Sequence, residues 1–286
     1  MEIKAADGTL LHLRKWLRKE SQIIRRSILL VHGLGEHGGR YAHVAKLLTE
    51  IGFDVWAYDH RGFGLSGGKR AAIPHTDALL DDLKLVFEAL TEEQRVQGEA
   101  RRPLLLGHSM GGAIVARAAT GGWVSPGALI LSSPGLLSRL GGFMQVFTRA
   151  AAMVLPNLAI PHGLPLDKIS HDEAVLADAK ADPLNHAQIT PRLAAFILDA
   201  GERAIRDAGS LDIPVLVQAA GADQLVDVKG ARLFAERMKP KLCTLKIYEG
   251  LWHEIYNERE LDRSNVLADL RNWLLPESSD VLIDRR

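Results

Sequence analysis

The chain has 286 residues, of which 47% are hydrophobic and 24% charged, enough apolar material for a large core and too much for a disordered chain. Lys and Arg number 35 and Asp and Glu number 35, a formal net charge of zero. A nucleic-acid binder carries a basic excess to neutralise phosphates, so no nucleic-acid partner is expected. The single cysteine, Cys243, has no internal disulfide partner and reads as a small buried side chain in a reducing compartment. The N-terminus shows no basic segment followed by an apolar one, and no stretch approaches the ~20 apolar residues of a spanning helix. The expected location is the cytoplasm.

Short β-rich runs alternate with longer helical patterns, as in a mainly parallel sheet with helices on both faces. Leu10 to Trp16 alternates in polarity and suits an antiparallel edge strand. Ser27 to Val31 is a continuous apolar run, expected of a strand buried on both faces. Val44, Leu47, Leu48 and Ile51 fall at helical spacing, Gly52 stops that helix, and Phe53 to Tyr58 is the next strand. Ala78 to Gln97 is a long amphipathic helix, Pro103 to Leu106 a third buried strand, Gly111 to Thr120 a helix rich in small residues, and Ala128 to Leu131 a fourth strand. After residue 210 come a strand at Val215 to Val217, a helix at Lys229 to Met238, a strand at Leu242 to Ile247 and a closing helix at Arg263 to Leu274. Between the fourth strand and Pro214 no convincing strand is evident. Ser138 to Leu155 reads as one apolar helix, and Thr190 to Ala208 as another with Thr190 as N-cap and Pro191 in its first turn. The organisation expected is a core of residues 1–133 and 211–286 interrupted by a helical cap at 134–210.

Gly107-His108-Ser109-Met110-Gly111 is a Gly-x-Ser-x-Gly motif between a buried strand and a helix. At such a turn the serine is lifted above the sheet, the two glycines let strand and helix close on each other, and the N–H of Met110 faces a developing oxyanion. A second match, Gly64-Leu65-Ser66-Gly67-Gly68, has no apolar helix behind it and reads as a turn. A serine nucleophile needs a base, and of 11 histidines only His253 follows His186. It lies just past a strand, where the chain order serine, acid, histidine puts the base. The acid belongs beyond the preceding strand, where Asp223 follows the bend and Asp227 is placed to cap the next helix. The Gly-rich loop from His32 to Gly39 follows the first buried strand, and its Leu34 N–H is the natural second oxyanion donor. His32, Glu36 and His37 read as structural hydrogen-bonding residues of that loop rather than metal ligands. Asp59 to Gly64 reads as a strand-end turn with a buried or bridging Arg61.

The blocks His32-Gly33-Leu34-Gly35-Glu36-His37, Asp59-His60-Arg61-Gly62-Phe63-Gly64-Leu65-Ser66, Gly107-His108-Ser109-Met110-Gly111-Gly112 and Gly250-Leu251-Trp252-His253-Glu254 resemble α/β-hydrolases of the monoacylglycerol lipase and lysophospholipase type. The resemblance covers the core and not the cap. It implies the α/β-hydrolase fold, a triad of Ser109, Asp223 and His253, and oxyanion donors at Leu34 and Met110. It implies no cofactor and no metal. The implied reaction is serine-dependent hydrolysis of fatty-acyl monoesters such as monoacylglycerols. A short-chain or aryl esterase, a lysophospholipase, or a non-catalytic binding protein are the alternatives on the same scaffold. In the apolar segment Phe143 to Leu155, two readings stand side by side: a helix packed on the core, or one from which Met144 and Phe147 line an acyl channel. The only partner expected is a small-molecule acyl ester, with transient membrane or micelle contact through the cap.

Overall fold

The protein is described here from a computed structural model covering residues 1–19 and 26–275. In chain order the elements are β1 (Glu2–Lys4), β2 (Leu10–Trp16), β3 (Arg26–Val31), α1 (Ala42–Glu50), β4 (Phe53–Tyr58), α2 (Ala78–Val96), β5 (Leu104–His108), α3 (Met110–Thr120) and β6 (Leu129–Ser132). There follow α4 (Gly142–Val154), β7 (Ile160–Pro161), α5 (Glu173–Ala181), β8 (Gln188–Ile189), α6 (Pro191–Asp207), β9 (Val215–Ala220), α7 (Lys229–Arg237), β10 (Cys243–Tyr248) and α8 (Glu260–Leu274).

The eight-stranded sheet runs in the order β1-β2-β4-β3-β5-β6-β9-β10. From β4 to β10 every pairing is parallel, while β1 and β2 form an antiparallel end. Successive side chains of the central strands alternate between two buried faces, which is why these segments read as unbroken apolar runs. On β3, Leu29 and Val31 pack toward α2 and α3 with Leu83 and Ile114. Ile28 and Leu30 pack toward α1 and α8 with Val44, Leu48 and Leu270.

Three expectations are corrected. The edge strand is β1 rather than β2, because three residues, Glu2 to Lys4, are too few to give a strand signal. The segment between β6 and β9 holds a two-residue antiparallel ladder, β7 with β8. Thr190 occupies the N-cap position of α6, but its hydroxyl donates to the carbonyl of Ala71 at 2.8 Å instead of capping. Cys243 is half-buried at the outer strand, and burial pushes its thiol up to about 11. Among the described residues no helix is long and apolar enough to cross a membrane.

The sheet and α3 meet in one tight contact. A Cβ on Gly107 would lie 2.4 Å from the carbonyl oxygen of Gly111, and one on Gly111 would lie 2.2 Å from that of Val31. Both clashes are with backbone, which cannot swing aside. Gly111→Ala therefore costs about 2 kcal/mol or more of stability through overpacking, whereas Gly250→Ala, in open space, is near neutral. Urea denaturation of the two variants checks the contrast.

Candidate active site

Ser109 joins β5 to α3 with φ 53° and ψ −119°, a conformation that is strained for a residue with a side chain. Its backbone is pinned on both sides, by its own N–H to the Ser132 carbonyl at 3.0 Å and by the Gly135 N–H to its carbonyl at 2.8 Å. The hydroxyl is thereby presented above the carboxyl ends of the strands, where ligands bind in open α/β sheets.

There the loops after β9 and β10 converge on it. His253 Nε2 lies 2.8 Å from Ser109 Oγ, and His253 Nδ1 lies 2.7 Å from Asp223 Oδ2. The other oxygen of Asp223 accepts the N–H groups of Leu225 at 2.8 Å and Val226 at 3.0 Å, so the carboxylate is aimed by its own loop. Burial alone would raise the Asp223 carboxyl, but His253 beside it and these backbone donors hold it below its ordinary value. Burial alone would lower His253, but Asp223, with Glu254 and Glu36, outweighs it and raises the ring above its ordinary 6.5. Asp227 stands apart from this group. It stands one residue before Val228, the N-cap position of α7, and its Oδ1 accepts the Lys229 N–H at 3.0 Å, a local turn at the helix start.

Leu34 and Met110 flank Ser109 and line the same space. His60 N–H donates to His32 Nε2 at 2.9 Å, so the His32 proton sits on Nδ1, which donates to the Gly33 carbonyl at 2.8 Å. That carbonyl shares its peptide plane with the Leu34 N–H, which in a trans peptide points the opposite way. Gly33 itself abuts Ser109, since a Cβ there would lie 3.1 Å from Ser109 Cβ. His37 Nε2 pairs instead with Asp182, at the end of α5, at 2.8 Å, and Glu36 Oε1 accepts the Gly33 N–H at 2.6 Å. These three side chains thus diverge into separate hydrogen bonds, as structural members of the loop. Ser66 lies in a turn, its hydroxyl donating to the Asp59 carbonyl and accepting the His12 N–H at 2.8 Å. Arg61 forks onto buried Asp82 at 2.6 Å and reaches Asp7 at 2.6 Å.

Two cavities open from Ser109. One, of about 500 Å³, is apolar and includes Leu136, Met144, Phe147, Ile197 and Leu198. The other, of about 520 Å³, brings charged groups together, among them Glu36, Arg40, Lys180, Asp182 and Glu254. Met144 and Phe147 thus face the first cavity, but α4 buries none of its residues and packs mainly on α6, contrary to a helix seated on the core. Arg40 is the residue that sequence reasoning missed. Its one signal was its place four residues after Glu36, which on a helical turn brings the two together.

The family model described as "Serine aminopeptidase, S33" matches residues 22–260. A monoacylglycerol lipase of Mycolicibacterium smegmatis is 35% identical over 258 residues, covering 88% of each chain. Human monoglyceride lipase is 31% identical over 94% of this chain and 88% of its own. The crystal structure of Paleococcus ferrophilus monoacylglycerol lipase superposes with a TM-score of 0.82 at 30% identity, over 92% of this chain and 98% of that one. A soluble variant of the monoglyceride lipase of Saccharomyces cerevisiae gives 0.87 at 23% identity, a likeness of fold. The chain belongs to the serine aminopeptidase S33 family, with the α/β-hydrolase fold, and is similar along most of its length to proteins named monoacylglycerol lipase.

Proposed function

We propose that this protein is a serine carboxylester hydrolase that cleaves monoacylglycerols through an acyl-enzyme, with Ser109, His253 and Asp223 as its triad. The observation that carries the reading is the unbroken hydrogen-bond chain Asp223–His253–Ser109, at 2.7 and 2.8 Å, opening onto two largely apolar cavities, one of which also gathers several charged side chains. Ser109 attacks the ester carbonyl as His253 Nε2 takes its proton, and Asp223 holds the ring in the Nδ1–H tautomer and stabilises the imidazolium. The N–H groups of Leu34 and Met110 receive the oxyanion. His253 returns the proton to the departing alcohol, then draws one from the water that releases the acid. No step calls for a cofactor or metal.

The acyl chain goes to the apolar cavity under the cap of residues 134–210, against Met144 and Phe147. The cavity that gathers charged side chains receives the alcohol. Glu36, Arg40 and Glu254 are taken up by one another, and the carboxylates that remain in its lining, Asp167 and Asp182, outnumber the one remaining lysine or arginine, Lys180, which disfavours a phosphate headgroup and suits glycerol. Phe143, Val146, Met153 and Val154 are exposed, Phe143 by 82% and Met153 by 86%, and give the cap an apolar outer surface suited to transient contact with a membrane or micelle.

Ser109→Ala, His253→Ala and Asp223→Asn are each expected to lower kcat at least ~10³-fold while the fold persists, and the Ser109→Ala/His253→Ala double variant should be little worse than either single change. Asp227→Ala should instead cost about 1 kcal/mol of stability through the lost bond to the Lys229 N–H, with kcat nearly intact. Loss of ester cleavage in Ser66→Ala rather than Ser109→Ala would overturn the assignment.

A pH profile tests the base. Below the His253 pKa the ring is an imidazolium and cannot accept the serine proton, so kcat/KM rises with pH through one deprotonation. Because the folded site raises that ring, the midpoint should lie above 6.5. A profile flat from about pH 5 to 8 would exclude a histidine base.

Chain-length dependence tests the substrate. Each buried methylene contributes up to ~0.8 kcal/mol, so kcat/KM should climb a few-fold per carbon along a series of p-nitrophenyl esters until the cavity fills. Phe147→Asp should flatten that slope and leave acetate ester turnover in place. Equal cleavage of acetate and decanoate esters by the unmodified enzyme would replace the lipase reading with a short-chain esterase.

A further inference from the structure

Leu34 and His253 belong to loops that the sheet does not bring together. The first follows β3 and the second follows β10, four positions away in the strand order and thus roughly 19 Å apart at the usual strand spacing. Both loops must arch back toward Ser109, and their relative placement has to come from side chains.

One residue spans the gap. Glu36 Oε1 accepts the Gly33 N–H at 2.6 Å and the Tyr41 hydroxyl at 2.6 Å, closing the oxyanion loop on itself. Its Oε2 accepts from Arg40 Nη1 at 2.8 Å. Arg40 then crosses to the other loop, where Nη1 and Nη2 fork onto Glu254 Oε1 at 2.7 Å and Oε2 at 2.8 Å. Asn257 Nδ2 donates to the same Glu254 Oε2 at 2.9 Å. Gly33 immediately precedes Leu34, and Glu254 immediately follows His253. The side chains of Glu36, Glu254 and Arg40 are only 6%, 8% and 12% exposed.

Three charges so far from water are a poor device for stability. Desolvation costs several kcal/mol per ion, and well-packed apolar residues do as well or better. What a buried bidentate pair supplies instead is fixed geometry. The candidate chemistry needs it, because oxyanion donors must stand within about 2.7–3.1 Å of the oxyanion and a 1 Å misplacement costs ~10²-fold.

We propose that Arg40 is a positioning residue that, through Glu36 and Glu254, locks the oxyanion loop against the His253 loop, an inference that rests on the ester-hydrolase reading above. Arg40 touches neither reacting atom and acts through its two carboxylates. Its brace also bears on the base electrostatically. His253 is faced by Asp223 from the loop after β9, by Glu254 of its own loop, by Glu36 from the oxyanion loop and by the His108 ring at 4.9 Å. Burial and the neighbouring His253 push His108 down to about 4, so it stays neutral near pH 7. Arg40, outweighing the effect of burial, holds Glu36 at about 2. Removing the Glu254 charge therefore lowers the midpoint of the His253 titration.

The experiment compares Arg40→Met, Arg40→Lys, Glu36→Gln, Glu254→Gln and the double glutamine variant on p-nitrophenyl butyrate, with melting temperatures and rates of labelling by a fluorophosphonate probe. The expected result is a kcat about 10²-fold lower for Arg40→Met with KM within about two-fold, because the loss is one of alignment and not of binding. Arg40→Lys recovers part of the rate, since an ammonium cannot fork onto two carboxylates. The double glutamine variant is no worse than its poorer parent, and Glu254→Gln shifts the kcat/KM midpoint to lower pH. A kcat within about three-fold of the unmodified enzyme in Arg40→Met, a change confined to KM or melting temperature, or additive glutamine effects would each overturn the brace. Should Arg40→Met fail to fold, Arg40→Lys and Glu254→Gln, which conserve shape, decide the question by the same criteria. Labelling that persists in Ser109→Ala would sink the hydrolase reading itself. Labelling lost in Ser109→Ala but at full rate in Arg40→Met would sink the brace alone.

Discussion

The turn at Ser109 depends on the absence of two methyl groups. With side chains at Gly107 and Gly111, β5 could not run so closely into α3, nor α3 so closely past the end of β3. Because it can, a serine is held at positive φ with its hydroxyl within 2.8 Å of His253 Nε2, and the Met110 N–H opens the helix directly beneath it. The same contact places the end of β3 beside this turn, so the loop of residues 32–39 starts within reach of Ser109. Loops from more distant strands then need only complete a site whose centre is already rigid.

Electrostatics around that centre divides ionised from neutral groups by burial and partner. Asp223 and Glu36 are buried, yet each has a cation or enough N–H donors to remain ionised. His32, His60 and His108 are equally buried, but burial pushes each of them down. His253 is the exception, raised by the carboxylates around it. One imidazole among the four is thereby left to change charge near neutral pH, the behaviour expected of a general base.

The segment between β6 and β9 has two mechanical characters. Its later part is fastened to both loops of the site: Asp182 pairs with His37, the His186 N–H donates to the Gly35 carbonyl, and the Ile169 carbonyl accepts the Glu254 N–H. Glu258 takes further bonds from His171 and Trp252 beside the base. The earlier part, α4, buries no residue and rests on α6.

How much was legible in the sequence follows from the range of each interaction. The parallel sheet was readable because strands buried on both faces leave apolar runs, and β1 was missed because three residues carry no pattern. Ser109, Asp223 and His253 could be singled out because each sits at a strand end with its own local signature, and the structure brings the three within hydrogen-bond reach. Asp227 could likewise be set apart as a residue of the α7 start, through an interaction of two residues' span. The brace through Arg40 could not be read, because its partner Glu254 lies 214 positions away and nothing in the local pattern of either residue records the other. The exposure of Phe143 and Met153 was equally hidden, since an apolar helix has the same sequence whether it faces a core or a lipid. The sequence by itself determined the elements, the elbow and the residue types of the candidate site, all of which depend on neighbours a few positions apart. Only the tertiary structure decided which distant charges meet and which apolar faces stay uncovered, because those depend on how the folded loops close over the sheet.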